Sequence, residues 1–119
     1  MASYKELIVW QKAMAVAVDV YTITKAFPQE ELFGMVTQMR RSSVSISSNI
    51  AEGSVRGGRK EYAHFLRIAL GSCAELESQM LLSEKVGLIN NTDCTTIVEQ
   101  LNEVMKILNV IIKKLSVNS

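Results

Sequence analysis

The chain has 119 residues, 48% of them apolar and 21% charged, with a formal net charge of +1. That length fits one domain with one core, over residues 1–119, and the near-neutral net charge hides an uneven distribution along the chain. Two isolated cysteines without a CxxC exclude a disulfide scaffold, and the longest weakly charged apolar run, Ala13 to Ile23, is broken by Asp19 and too short to cross a bilayer.

The start, Met1-Ala2-Ser3-Tyr4-Lys5-Glu6, has no positive region leading into an apolar run, so no signal peptide is expected. Cys73 and Cys94 suit a reducing cytoplasm as small core residues. The first helix is predicted over about Leu7 to Ala26. Ser3 and Glu6 stand at capping-box spacing before it. Leu7, Trp10, Met14, Ala17, Tyr21 and Thr24 recur in steps of three and four, which puts them on one core-facing seam. Phe27-Pro28 ends the pattern, and Pro28 suits the first turn of a second helix over about Pro28 to Ala51. Its seam is Leu32, Val36, Met39, Ser43, Ile46 and Ile50. Ser42 to Ser48 alternates like a strand when read alone, but the heptad steps pass through it unbroken, so it is assigned to the helix. Its serines point to close approach by a neighbouring helix.

Gly53 to Gly58 is read as a loop. A third helix follows over about Arg59 to Val86, with the seam Tyr62, Leu66, Ala69, Cys73, Leu76, Met80 and Ser83, and Gly87 as its C-terminal cap. Asn91, Thr92 and Asp93 offer N-cap oxygens for a fourth helix running to about Leu115. Its seam is Ile97, Leu101, Val104, Leu108, Ile111 and Leu115, and the tail to Ser119 is expected to fray. Four such helices with short connections predict an all-α, antiparallel up-down-up-down four-helix bundle. Val98, Met105, Ile112, Ile107 and Val110 on the fourth helix, with Ala13, Val16, Val18, Val20 and Ile23 on the first, exceed what one core stripe needs. The surplus is expected to form an interface between subunits.

Charge is segregated along the chain. All the arginines, Arg40, Arg41, Arg56, Arg59 and Arg67, lie in one window with Lys60 and the lone His64, whereas Glu75 to Glu103 is mainly acidic. Arginine pairs in a fork with phosphate or carboxylate. Arg56, Lys60, His64 and Arg67 fall at helical spacing and form one basic stripe if the third helix reaches back to Arg56. Such a stripe is what a nucleic-acid backbone requires. The competing reading makes the arginines structural, with Arg40 and Arg41 paired to Glu75 and Glu77 across the hairpin of the second and third helices.

Other motifs fall short of chemistry. Glu61-x-x-His64 has the spacing of a di-metal bundle ligand pair, but a single histidine cannot complete that site. Gly53-x-x-x-x-Gly58-Arg59-Lys60 resembles a phosphate-binding loop, yet it lacks the lysine-hydroxyl ending and a preceding strand. No catalytic residue, metal or cofactor is expected.

Three stretches then carry a resemblance: Leu7–Tyr21, Phe27–Ser54 and Glu61–Gln79. With the segment Arg40-Arg41-Ser42-Ser43-Val44-Ser45-Ile46-Ser47-Ser48-Asn49-Ile50-Ala51-Glu52-Gly53, they resemble the bacterial four-helix-bundle family, also called the 23S ribosomal RNA intervening-sequence protein family. That family more often carries proline near Ser47, so the second helix is expected to be straighter here. The resemblance implies a homo-oligomer, a ring of five, with no catalytic residues carried over. Some members are encoded within ribosomal RNA genes, and a related accessory variability protein of retroelements binds nucleic acid and a reverse transcriptase. The expected function is therefore a cytoplasmic, non-enzymatic bundle that binds RNA or another polyanion through Arg56, Arg59, Lys60, Arg67, Arg40 and Arg41. The alternative is a protein-interaction scaffold whose arginines are structural. Asn49, Glu52 and Gln38 are expected to hydrogen-bond and fix the end of the second helix.

Overall fold

The structure is a computed structural model describing residues 3–117; the fraying expected at Asn118 and Ser119 lies outside the described residues. Four helices form it: α1 (Ile8–Thr24), α2 (Thr37–Val55), α3 (Arg59–Lys85) and α4 (Asn91–Ser116). Each packs on the next in sequence, and α4 closes against α1. Side-chain contacts fix the directions. Thr24, which ends α1, meets Arg40 near the start of α2. Ser45 meets Ser72 and Met39 meets Ser83 between α2 and α3, Cys94 meets the Met80 carbonyl between α3 and α4, and Lys12 meets Glu103 between α1 and α4. Along successive pairs the partner's number falls as the other rises, as in Met39–Ser83, Ser42–Glu75 and Ser45–Ser72, or Lys12–Glu103 and Asp19–Gln100, so these neighbours run antiparallel. The particle measures 47 × 20 × 19 Å.

The heptad seams of α3 and α4 are buried as expected. Leu66, Ala69, Cys73, Leu76 and Met80 interlock with Ile97, Leu101, Val104 and Leu108. The first helix keeps part of its predicted seam and shifts the rest. Ala17 and Thr24 are buried and Leu7 and Trp10 half-buried as expected, but Val9, Ala13, Val16 and Val20 fill the core where Met14 and Tyr21 stand exposed. Apolar residues stand side by side along it, as at Val9–Trp10, Ala13–Met14 and Val20–Tyr21, so periodicity left two adjacent faces equivalent. The tight core took the smaller residues.

Helix boundaries also move. Ser3 caps a short 3-10 turn over Tyr4–Glu6 rather than the long helix, accepting from the Lys5 N–H. The second helix does not begin at Pro28. A 3-10 turn over Gln29–Glu31 leads into a wide turn over Leu32–Val36, where Gly34 has non-helical angles (φ −114°, ψ −109°). Leu32 is thereby exposed, and Phe33 projects at 93% exposure. From Thr37, α2 runs unbroken through the serines, including Ser47, and continues past Ala51 to Val55. Gly53 is therefore inside a helix, not in the loop. A Cβ there would come within 2.7 Å of the Phe65 Cβ, so its missing side chain sets how closely α2 approaches α3. Gly87, at φ +83°, ends α3 as expected: Leu88 N–H bonds the Ser83 carbonyl and Gly87 N–H the Glu84 carbonyl. The α4 cap falls one residue earlier than predicted, on Asn90, whose side chain accepts from the Asp93 N–H at 2.7 Å.

The surplus apolar residues of α4 have a partner within the subunit. Val98, Met105, Ile107 and Ile112 pack half-buried against the core, and only Val110 is exposed. Other apolar residues are exposed on α3, as at Ile68, Leu81 and Leu82, but on α1 and α2 Met14, Val18, Tyr21 and Val44 together border a shallow groove of about 540 Å³.

Candidate nucleic-acid interface

The six cationic residues singled out by the sequence divide into two groups. Arg59, Lys60 and Arg67 lie in the first turns of α3, with Arg56 at the end of α2. Arg40 and Arg41 lie further along the hairpin, beside the Ser72–Glu75 part of α3. Sixteen residues of α3 separate Arg59 from Glu75, about 24 Å along the axis.

The first group gathers at one end of the bundle. Arg59 Nη2 donates to the Lys114 main-chain carbonyl at 2.8 Å, and Arg67 Nη2 donates to Ser116 Oγ at 3.3 Å. These bonds anchor the open carbonyl end of α4, where cations meet the negative end of the helix dipole. They also bring the last turn of α4, which carries the exposed Lys113 and Lys114, against the start of α3, a juxtaposition across more than forty residues of chain that no local pattern signals. Both acceptors are neutral, so neither bond cancels a charge. A guanidinium has five donors, and each arginine keeps most of its own. Lys60 is exposed and makes no hydrogen bond or ion pair among the described residues.

Arg56 behaves differently. The third helix begins at Arg59 and does not reach back to Arg56, so the continuous stripe from Arg56 to Arg67 is not formed. Gly57 and Gly58, at φ +92° and +26°, turn the chain between the helices. Arg56 instead pairs with Glu61 at 2.8 Å and covers the Phe65 ring. His64 is exposed and contacts Phe65 edge-on.

The second group is also split. Arg40 Nε donates to Thr24 Oγ1 at 3.0 Å, its Nη2 reaches the Tyr21 carbonyl at 3.4 Å, and its guanidinium lies over the Tyr21 ring. It joins the end of α1 to α2. Arg41 is exposed and makes no hydrogen bond or ion pair among the described residues. Glu75 accepts from Ser42 at 3.0 Å, and no ion pair joins Glu75 or Glu77 to either arginine among the described residues. Of the three polar residues expected to fix the end of α2, Asn49 does hydrogen-bond, donating to the Ser45 carbonyl and hydroxyl, but within the helix interior and one turn back rather than at its end. Gln38 and Glu52 are exposed and make no such bond among the described residues.

No group of three or more His, Cys, Asp or Glu side chains able to hold a metal lies among the described residues. The two thiols are buried and unbridged. Burial, with Glu77 nearby, pushes the Cys73 thiol up to about 12, and burial with Glu84 raises Cys94 as well. A thiol held neutral is a poor nucleophile and metal ligand. No helix among the described residues is long and apolar enough to cross a membrane.

Residues 5–110 match the family of the 23S rRNA-intervening sequence protein. The chain belongs to that family. Among solved structures, the chain is similar to a crystal structure from Bacteroides thetaiotaomicron, described as a protein of unknown function from the S23 ribosomal protein family. The two share 29% sequence identity with a TM-score of 0.83, over 89% of this chain and 99% of the other. The likeness therefore spans the whole bundle, α4 included. No curated protein matches the chain.

Proposed function

We propose that this intervening-sequence family member is a non-enzymatic, oligomeric cytoplasmic bundle that binds RNA or a similar polyanion through its α3-start, α4-end face. One observation carries the reading: Arg59, next to Lys60, and Arg67 are held by neutral acceptors on the last turn of α4, the turn that also carries Lys113 and Lys114. Positioned arginines that keep their charge suit phosphate better than freely moving ones, because less side-chain freedom is lost on binding. Contacts of this kind read backbone and shape rather than base sequence. Arg56, already neutralised by Glu61, and Arg40, engaged between α1 and α2, contribute less.

A second observation favours self-association as part of the same function. Met14, Val18, Tyr21 and Val44 leave an apolar groove open on α1 and α2, and burial of such side chains in a ring, of five by the family's pattern, would multiply the basic ends into one avid surface.

The test is anisotropy of a labelled structured RNA between about 50 and 200 mM salt. Affinity should fall steeply with salt, at a slope of about −0.7 to −0.9 per phosphate neutralised. Replacing Lys60, Lys113 and Lys114 with glutamine should weaken every RNA alike and flatten the slope by about one per lysine in contact. Absence of binding at the low-salt end, or binding indifferent to salt and to the triple variant, would transfer the case to a protein scaffold with structural arginines.

A further inference from the structure

Between α2 and α3 lies a polar recess of about 490 Å³, lined by Gln38, Arg41, Ser42, Ser45, Glu75 and Gln79. Its volume is within the span of small-molecule sites, about 300–1,000 Å³. Three features of the lining lack a counterpart within the subunit. Arg41 has no partner among the described residues. Glu75 takes one hydrogen bond, from Ser42, although a carboxylate offers about four acceptor positions. The two opposite charges face one recess without forming an ion pair. The third feature is Gln79. It is only 9% exposed, and its Oε1 is buried without a hydrogen-bond partner. Buried acceptors are almost always satisfied, so this one calls for a donor.

We propose that the recess binds a small zwitterion bearing N–H donors, the chemistry shared by free polar α-amino acids and short peptides. Its carboxylate would sit in the Arg41 fork, where two parallel N–H bonds are available. Its ammonium would face Glu75, and a partial rotation of the Gln79 side chain would bring Oε1 onto one of the ammonium hydrogens. Hydroxyls of Ser42 and Ser45 on the wall favour a polar ligand over an apolar one. The site shares no residue with the basic end of the bundle: along α3, Glu75 lies about 12 Å from Arg67 and about 24 Å from Arg59.

The experiment is a titration of the full chain with serine, glutamine and glycylglycine, followed through backbone amide resonances up to about 10 mM ligand. Saturable shifts should centre on Gln38, Ser42, Glu75 and Gln79. Arg41→Gln and Glu75→Gln should each weaken binding about tenfold. Both variants keep the fold: Arg41 holds nothing within the subunit, and glutamine at 75 retains an oxygen for Ser42. Glycine betaine, with both charges but no N–H, should bind more weakly, as should acetate or methylammonium alone. Saturation by glycylglycine alone would identify peptides as the source, and saturation by the single residues alone would identify free amino acids. No saturable shift with any zwitterion, acetate binding as tightly as the zwitterions, or both variants binding like the wild type would overturn the proposal. Changing Lys60, Lys113 and Lys114 should leave this titration unaltered, so it stands or falls apart from RNA binding.

Discussion

The guanidinium of Arg59 donates to the main-chain carbonyl of Lys114 at 2.8 Å. One bond thus does two things. It closes the C-terminal end of α4 against the start of α3, and it leaves a charged group fixed at the surface. Stability and polyanion affinity are therefore coupled at Arg59 and separable at its neighbour Lys60.

That coupling predicts a contrast. Arg59→Ala removes a charged donor from an otherwise open helix carbonyl and should lower stability by about 0.5–1.5 kcal/mol, a loss of several degrees in thermal denaturation followed by circular dichroism. Lys60→Ala, which breaks no bond, should leave the melting temperature nearly unchanged. Both should weaken RNA binding. Equal melting temperatures for the two variants would mean that the Arg59–Lys114 bond contributes nothing to holding α4.

Two glycines in helices should respond in opposite senses to alanine. At Gly53 the new Cβ meets the Phe65 Cβ at 2.7 Å and the Tyr62 ring at 3.1 Å, so α2 and α3 must separate. Overpacking of this kind costs about 1–3 kcal/mol. At Gly71 nothing lies within 4 Å of the added Cβ, and removing a glycine from the interior of α3 should stabilise by about 0.5–1 kcal/mol. Denaturant midpoints of the two variants, read at constant slope, decide the matter.

How much of this was legible beforehand depends on the residues concerned. The seam from Leu66 to Met80 was readable because, past Leu70, small, polar or charged residues separate its large apolar positions, leaving one possible face. On α1, Val9 stands beside Trp10, Ala13 beside Met14 and Val20 beside Tyr21, so the period of 3.6 is satisfied by either set. Only the room available in the core selects the smaller residues. Family membership and the four-helix architecture were legible from the Arg40–Gly53 segment and the seams. The wide turn at Gly34 was signalled only by a lone glycine, a weak cue inside an otherwise apolar run. Arg59–Lys114, Gly53–Phe65 and the Arg41–Glu75 recess all join distant parts of the chain, which no pattern within one helix can encode. The unpaired Oε1 of Gln79 likewise exists only once α2 and α3 are packed.

Self-association should depend on α1 and α2 rather than on the surplus residues of α4. Val18 is 59% exposed and Val44 is 42% exposed. A Val18→Glu, Val44→Lys double variant should therefore fold normally yet shift the mass measured by light scattering toward a single subunit. Met105 and Ile112 pack on the core, so a glutamate there should lower the melting temperature whatever the oligomeric state. A double variant that keeps the wild-type mass would place the interface elsewhere, and an unaffected melting temperature for Met105→Glu would contradict the packing of α4.

The last prediction concerns alkaline pH. Cys73 is lifted from its ordinary 9.0 to about 12 by burial and by Glu77, and Cys94 is raised by burial and by Glu84. Above the ordinary value the unfolded chain gives up these thiol protons while the folded chain retains them. The folded state then binds more protons, so stability falls as pH rises through the window from about 9 to about 12. Below that window both states hold the protons and the thiols contribute no slope. Cys73→Ala should flatten the decline above pH 9.0 and, by opening a small gap among Leu66, Leu76 and the α4 seam, lower stability modestly at neutral pH. Thiol-alkylation rates offer a second reading: both cysteines should react slowly in the native protein and rapidly in denaturant. An alkaline slope identical in wild type and Cys73→Ala, or prompt alkylation of Cys73 in the native protein at neutral pH, would show that this thiol is not held neutral by the core.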